Sequence, residues 1–108
     1  MNDRELLELA ARAAGYQFSY SYRSLSSPAV PVILAETGRW RQWAPRHDDG
    51  DALRLAVDAG ILDGNAFSVW LNYRNGAMAI EGLGAREATR LAFVRAAAEI
   101  GKSMGGGE

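Results

Sequence analysis

Residues 43–56 read Trp-Ala-Pro-Arg-His-Asp-Asp-Gly-Asp-Ala-Leu-Arg-Leu-Ala, and they mark the passage from a strand into a helix. Proline has no amide hydrogen to offer a sheet, so Pro45 is expected to end the strand before it. Aspartate favours the first turn of a helix, where its carboxylate accepts hydrogen bonds from unpaired backbone amides. We therefore predict a helix from Asp51 to Ala59 that is capped by Asp48 or Asp49.

The acidic residues of this stretch also suggest a cation site, since clustered carboxylates suit hard metal ions. An EF-hand loop that began at Asp48 would need glycine at its sixth position and glutamate at its twelfth. The chain has Leu53 and Ala59 at those positions, so the motif fails. Helix capping explains the carboxylates, and we predict no metal site.

Hydrophobic periodicity predicts the remaining elements on either side of this stretch. They are a helix at Asp3–Ala14, strands at Tyr16–Tyr22, Val30–Ala35 and Arg39–Trp43, two hairpin strands at Phe67–Tyr73 and Met78–Glu81, and a helix at Ala85–Lys102. Asn75 and Gly76 tolerate positive φ, which favours a tight turn in the second hairpin. The order α-β-β-β-α-β-β-α predicts the α+β class, an antiparallel β-sheet with about three helices packed on it. Residues 1–102 would form a single domain, and the glycine-rich residues 103–108 a disordered tail.

Composition narrows the classes of function. The 108 residues carry a net charge of -1, which disfavours a globally basic DNA-binding protein. The chain has no cysteine and one histidine, so disulfides, thiolate metal sites and multi-histidine zinc sites are excluded. It has neither a Gly-x-Ser-x-Gly motif nor a Walker-type loop, so we expect no enzyme activity and no cofactor. No apolar run approaches the ~20 residues of a membrane span, and residues 1–5 do not resemble a signal peptide, so a cytoplasmic protein is expected.

Basic and aromatic residues are concentrated around the start of the opening stretch. We name this set the Trp/Arg segment: Arg39, Trp40, Arg41, Trp43 and Arg46. Guanidinium groups bind phosphate and indole rings stack on bases, so the segment could hold an anionic nucleotide. A half-exposed strand gives the same pattern, with its tryptophan side buried and its arginine side in solvent. The sequence leaves both interpretations open.

Two further places are candidates for binding a partner. In the predicted strand Phe67–Tyr73, Trp70 would point away from the core, and an exposed tryptophan is typical of interfaces. Burial of Trp70 beneath a helix is the alternative. Arg86 and Arg90 lie one turn apart near the start of the last helix, where they could bind an anion. Solvated surface charge is the alternative for these two arginines.

Three segments resemble small proteins of unknown function that tailed phages and prophages encode. They are residues 5–16, which begin Glu-Leu-Leu-Glu-Leu, residues 43–56, which match a Trp-x-Pro pattern followed by acidic residues and a helix, and the Ala- and Arg-rich residues 87–101. The pattern is similar to the phage ABA-sandwich domain, an antiparallel sheet with helices around it. The resemblance implies a phage or prophage origin and an accessory role inside an infected host cell. That group has no established catalytic residues, so none is carried over.

Two hypotheses of function follow. The first is a non-catalytic accessory protein that binds a host or phage protein, in host takeover or counter-defence. The alternative is a small-ligand binder that sequesters an anionic nucleotide through the Trp/Arg segment. A sequence-specific DNA regulator ranks lower, because the second helix begins with acidic residues. A homodimer is also predicted from edge strands such as Val30–Ala35, where Pro31 indicates a sheet edge or the start of a strand.

Overall fold

A computed structural model describes residues 2–21 and 29–105 of the chain. The elements in this part are α1 Asp3–Ala14, β1 Phe18–Ser21, β2 Val30–Leu34, β3 Trp40–Gln42, α2 Asp49–Asp58, α3 Gly64–Ala79 and α4 Ala85–Met104. The antiparallel sheet with helices packed on it confirms the predicted α+β class. None of these helices combines the length and the apolar composition that a membrane span requires. The predicted end of the first strand at Tyr22 and residues 106–108 of the predicted tail lie outside the described residues.

Helix α1 has the predicted bounds. The Oδ1 atom of Asn2 accepts a hydrogen bond from the Glu5 amide at 2.9 Å, which satisfies a free amide of the first turn. Gly15 follows the helix with a φ of 77°, a left-handed conformation that costs glycine little. The Tyr16 amide then donates to the Ala11 carbonyl at 2.9 Å and directs the chain toward β1.

Helix α2 confirms that the acidic stretch caps a helix. Asp48 is the N-cap residue, and its Oδ2 atom accepts from the Asp51 amide at 2.7 Å. The helix begins at Asp49, two residues before the predicted start, because Gly50 lies inside the first turn rather than ahead of it.

The sheet has the strand order β1-β2-β3, and both pairs are antiparallel. Since β2 is the central strand, Val30–Ala35 is not a sheet edge, and the homodimer loses the support of this strand. Pro31 is the second residue of β2, which agrees with the alternative of a strand start. The Pro31 carbonyl accepts a hydrogen bond from the Trp43 amide at 2.9 Å, so the backbone nitrogen of Pro31 also faces the side of β3. Trp43 lies beyond the end of β3, and the missing amide hydrogen therefore costs no bond inside the β2–β3 ladder.

The predicted second hairpin is wrong, because α3 runs through nearly all of it. Alternate residues of 67–73 are apolar, which is typical of a strand, but a second set follows helical spacing. This set forms the more buried side of α3: Ala66, Trp70, Tyr73 and Ala77. It packs on α4, and no described strand lies close enough to pair with it. Gly76 has no positive φ, so no turn forms at Asn75 and Gly76.

Helix α4 is the centre of the helical layer, since α1, α2 and α3 all pack on it. Its buried residues are mostly small and allow close approach of neighbouring backbones: Ala88, Ala92, Ala96, Ala97, Ala98 and Gly101. At Gly101 the α4 backbone lies against the Leu9 carbonyl of α1, with no room for a side chain. The helix ends at Met104, so residues 103 and 104 belong to it and not to the predicted tail.

The core lies between the sheet and the helices, with Trp43 at its centre. Trp43 is 1% exposed. Tyr16 and Phe18 direct their ring edges at it, with centroid distances of 5.8 and 5.7 Å. Ile33 faces Phe18 across the β1–β2 pair, and Leu55 of α2 belongs to the same buried cluster. The single domain predicted from the sequence therefore has one aromatic centre shared by its strands and helices.

Candidate functional site

The two tryptophans of the Trp/Arg segment lie in different environments. Trp43 is a core residue, so it cannot stack on a nucleotide base, whereas Trp40 is 50% exposed. Successive side chains along a strand alternate between two faces. Trp40 and Trp43 are three positions apart, so their side chains lie on opposite sides of the strand, and Trp43 lies on the same side as Arg41. The expectation of one tryptophan side and one arginine side is therefore wrong.

The arginines of the same segment mostly bind neighbouring parts of the fold. Arg41 donates to Asp51 and Arg46 donates to Asp3, both at 2.9 Å. Arg39 is exposed and has no ion pair with another described residue. Because two of the three guanidinium groups are bound within the protein, the segment does not assemble a phosphate site.

Asp51 is a buried carboxylate that accepts hydrogen bonds from both the Trp/Arg segment and α2. Its residue is 4% exposed, and its Oδ2 atom accepts from the Ala44 amide at 3.0 Å. Its Oδ1 atom accepts from Arg41 and Arg54, each at 2.9 Å. Burial raises the pKa of Asp51, but the amide and the two guanidinium groups outweigh burial and hold the pKa below its usual value. Asp51 thus ties the end of β3 to α2, a role that sequence reasoning missed.

A cavity of about 880 Å³ lies beside this cluster, between the end of α1, the end of β2 and α2. Its lining includes Tyr16, Arg41, Arg54 and Asp58. The Tyr16 hydroxyl donates a short hydrogen bond to Asp58. Burial, followed by that hydrogen bond and the charge of Asp58, raises the pKa of Tyr16 well above its usual value. The cavity wall carries charges of both signs, so its electrostatics select neither an anion nor a cation.

Trp70 lies between α3 and α4. Its indole stacks on Phe93 of α4, with ring centroids 5.0 Å apart and planes 15° from parallel. Its Nε1 atom donates to the Thr89 carbonyl at 3.3 Å. Trp70 is therefore half-buried against a helix, between the two alternatives of an exposed and a covered tryptophan. Phe67, on the side of the predicted strand opposite Trp70, is 40% exposed instead of facing the core.

The two arginines at the start of α4 differ in their availability. Arg90 donates to Asp49 at 2.7 Å and to the Arg46 carbonyl at 2.8 Å, so it joins α4 to the residues around the start of α2. Arg86 is exposed and has no ion pair with another described residue. The arginines do not form a free pair, and Arg86 alone of the two offers an unbound guanidinium group.

A groove of about 350 Å³ lies between α2 and α4. We name it the α2–α4 groove, and its lining residues are Asp49, Ala52, Leu53, Ala85, Arg86, Thr89, Arg90 and Phe93. Trp70 borders this groove, since it contacts both Thr89 and Phe93. Helices α2 and α3 pack on α4 without contacting each other, so this strip of α4 has no helix over it in the described part of the chain.

Large apolar side chains are exposed beside the α2–α4 groove. Leu53 and Val57 lie one turn apart on α2 and are 54% and 58% exposed. The ring centroid of Phe67 lies 5.2 Å from that of Trp70, which continues the apolar surface onto α3. An exposed apolar patch beside a groove is typical of an interaction site. Helical periodicity groups Leu53 and Val57 with Ala52 and Ala56 on one apolar side of this helix, but the structure buries Ala52, Leu55 and Ala56 and leaves Leu53 and Val57 exposed.

Within residues 2–21 and 29–105, no group of three histidine or carboxylate side chains could hold a metal ion. The α2–α4 groove brings together two of the sequence candidates, Arg86 and Arg90, and Trp70 contacts two of its lining residues, Thr89 and Phe93. No protein-family model matches the chain, and no significant match is found among curated proteins or solved structures.

Proposed function

We propose that this chain is a non-catalytic binding protein and that its α2–α4 groove receives a helix of a protein partner. The observation that carries the proposal is the open strip of α4 between two helices that do not touch, with exposed Leu53, Val57 and Phe67 beside it. An amphipathic helix binds such a groove by burying apolar side chains that recur at helical spacing. The groove therefore suits a helix better than an extended peptide, which needs an open sheet edge.

The energetics of this surface support docking. Burying a large apolar side chain completely contributes about 1.5–3 kcal/mol. Leu53, Val57 and Phe67 are each about half exposed, so each could add roughly 1 kcal/mol on binding. Trp70, which lies beside Phe67, is held by its stack on Phe93 and its hydrogen bond, so this side chain needs little ordering before a partner binds.

The partner class comes from the sequence resemblance. If the chain is an accessory protein of a tailed phage or prophage, its partner is a host or phage protein and its role is host takeover or counter-defence. Nucleotide sequestration has less support, because the Trp/Arg segment is divided between the core, internal ion pairs and the open surface.

Site-specific photo-crosslinking in bacterial cells tests the proposal. A photoreactive side chain at Leu53 or Val57 should give one discrete protein adduct, and the same group at the exposed Asn72 of α3 should not. The captured protein is then purified and titrated against the full chain. We expect Leu53→Asp to weaken binding by about tenfold or more, and Asn72→Asp by less than about twofold. An adduct that forms equally at Asn72, or binding that survives Leu53→Asp, would contradict the proposal.

A further inference from the structure

The cavity between α1, β2 and α2 carries a positive and a negative group side by side on its wall. Its volume of about 880 Å³ lies within the range that is typical of small-molecule sites. Arg54 and Asp58 line it from α2, where four residues, or about 6 Å of helix rise, separate them. Side chains at this spacing can pair across one helical turn, but these two form no ion pair with each other. Each is held instead by a different partner.

Two guanidinium groups form the positive end of the wall. Arg41 and Arg54 donate to the same oxygen atom, the Oδ1 of Asp51, each at 2.9 Å, so the two groups are neighbours. A guanidinium group carries five N–H donors. The bonds to Asp51, together with the bond from Arg41 to the Gln42 carbonyl, use only some of these donors. A carboxylate in the cavity could therefore accept from both arginines while Asp51 keeps its bonds.

Asp58 forms the negative end, and Glu36 is a second carboxylate on the same wall. The Oδ2 atom of Asp58 accepts the Tyr16 hydroxyl, and no other described residue donates to Asp58. Its other oxygen thus remains for a ligand, and an ammonium group, which has three N–H donors and no acceptor, suits it. Burial and Asp58 raise the pKa of Tyr16, and the charges of Arg41 and Arg54 partly oppose this rise. Both arginines are therefore close to the Tyr16–Asp58 pair.

We infer that this cavity binds a small dipolar molecule whose amine and carboxylate lie close together, which is the chemistry of a free amino acid. The carboxylate pairs with Arg41 and Arg54, and the ammonium group pairs with Asp58. With Glu36, the charged lining residues comprise two of each sign. An ion of one sign would leave the opposite end of the site without a partner, whereas a dipolar molecule satisfies both ends.

A free amino acid fits this arrangement better than a longer peptide. An extended tripeptide spans about 10 Å, so its charged termini lie farther apart than one turn of α2. The cavity also has an apolar part, which offers contact to an apolar side chain and is lined by Ala14, Ile33, Leu34 and Ala35. We therefore expect a preference for amino acids such as leucine, valine and phenylalanine.

The test titrates the purified, isotope-labelled full chain with each standard amino acid and follows the amide signals by NMR. An apolar amino acid should shift the signals of Gly15, Gln17 and Thr37, which line the cavity. Its N-acetylated form, an anion, and its C-amidated form, a cation, should each bind about fivefold more weakly or worse. If no amino acid shifts these signals, or if either singly charged form binds as well as the free amino acid, the inference is overturned.

A charge-removing variant tests the contact with the ammonium group. Asp58→Asn keeps an acceptor for Tyr16, so it should bind the free amino acid about fivefold more weakly and the N-acetylated form without change. Asp63→Asn is the matched control, since Asp63 is also exposed and lines no part of the cavity, and its effect should stay below about twofold. Equal binding to Asp58→Asn and to the natural chain would overturn the inference. Thermal unfolding of both variants establishes that a loss of binding is not a loss of fold. Neither result depends on the α2–α4 groove, with which this cavity shares no lining residue.

Discussion

Replacing Gly101 by alanine should strongly destabilise the protein, although alanine is the better helix former. Gly101 lies in α4, where that helix crosses α1. The added methyl group would overlap the Leu9 carbonyl oxygen and lie 2.7 Å from its carbon atom. Both partners are backbone, so no side-chain rotation relieves the overlap, and the two helices must move apart.

The magnitude follows from the required separation. Carbon atoms in contact are ~3.5 Å apart, so α1 and α4 must separate by roughly 0.8 Å at this point, and by more to clear the oxygen. Overpacking of a core costs about 1–3 kcal/mol, and an overlap between backbones belongs at the upper end. The higher helix propensity of alanine offsets about 1 kcal/mol. We expect a net loss of about 2 kcal/mol in the free energy of unfolding, and a fall of roughly 10 °C in Tm.

Gly76→Ala is the matched control for this prediction. Gly76 lies inside α3 with open space where a methyl group would extend, so only helix propensity should act. Urea and thermal unfolding followed by circular dichroism should show Gly76→Ala stabilised by up to about 1 kcal/mol. If Gly101→Ala is as stable as Gly76→Ala, the close packing of α1 on α4 is refuted.

Three further changes test other parts of the fold. Asp51→Asn should lower the free energy of unfolding by about 2–4 kcal/mol near neutral pH, because it leaves Arg41 and Arg54 without their carboxylate, whereas Asp63→Asn should change it little. The folded-state pKa of Asp51 is lowered, so the contribution of its carboxylate to the free energy of unfolding is present above pH ~4 and is lost as the pH falls through the folded-state pKa. Urea unfolding across the acid range should therefore show the difference in stability between the natural chain and Asp51→Asn becoming smaller as the pH falls. The folded-state pKa of Tyr16 is raised, so its contribution is present below pH ~10 and lost as pH rises further; Tyr16→Phe should remove this alkaline loss in urea unfolding. Trp70→Ala should cost about 2–3 kcal/mol, less than the loss of a fully buried tryptophan, because Trp70 is half-buried. Hydrogen exchange should show protection lost first in α3, since that helix packs on α4 alone among the described elements.

Local sequence signals were sufficient to predict the ends of helices that a single capping residue determines. Asn2 and Gly15 fix the two ends of α1, and Asp48 fixes the start of α2. Capping depends on hydrogen bonds within a few residues, so the sequence contains all of the required information. The period-two pattern from Tyr16 likewise placed Phe18 and Tyr20 on one side of β1.

Segment 64–79 carries two periodicities at once, and the sequence does not rank them. Phe67, Val69 and Leu71 belong to an alternating pattern, whereas Ala66 and Ala77 belong to a helical one. The packing of this segment against α4 selects the helical pattern. Trp70 finds a stacking partner in Phe93 and an acceptor in Thr89, both on α4. A strand at this position would have left its backbone groups without a described partner strand, and unpaired backbone groups are costly.

The α2–α4 groove could not be predicted for a related reason. Leu53, Phe93 and Arg86 are ordinary surface or core residues when each helix is considered alone. They form a site because α2 and α3 both pack on α4 while remaining apart from each other. Helix α1 also packs on α4, and small residues such as Gly101 allow its close approach. The prediction for Gly101 therefore also bears on the groove, because a displaced α4 would carry Phe93 and Arg86 away from Leu53.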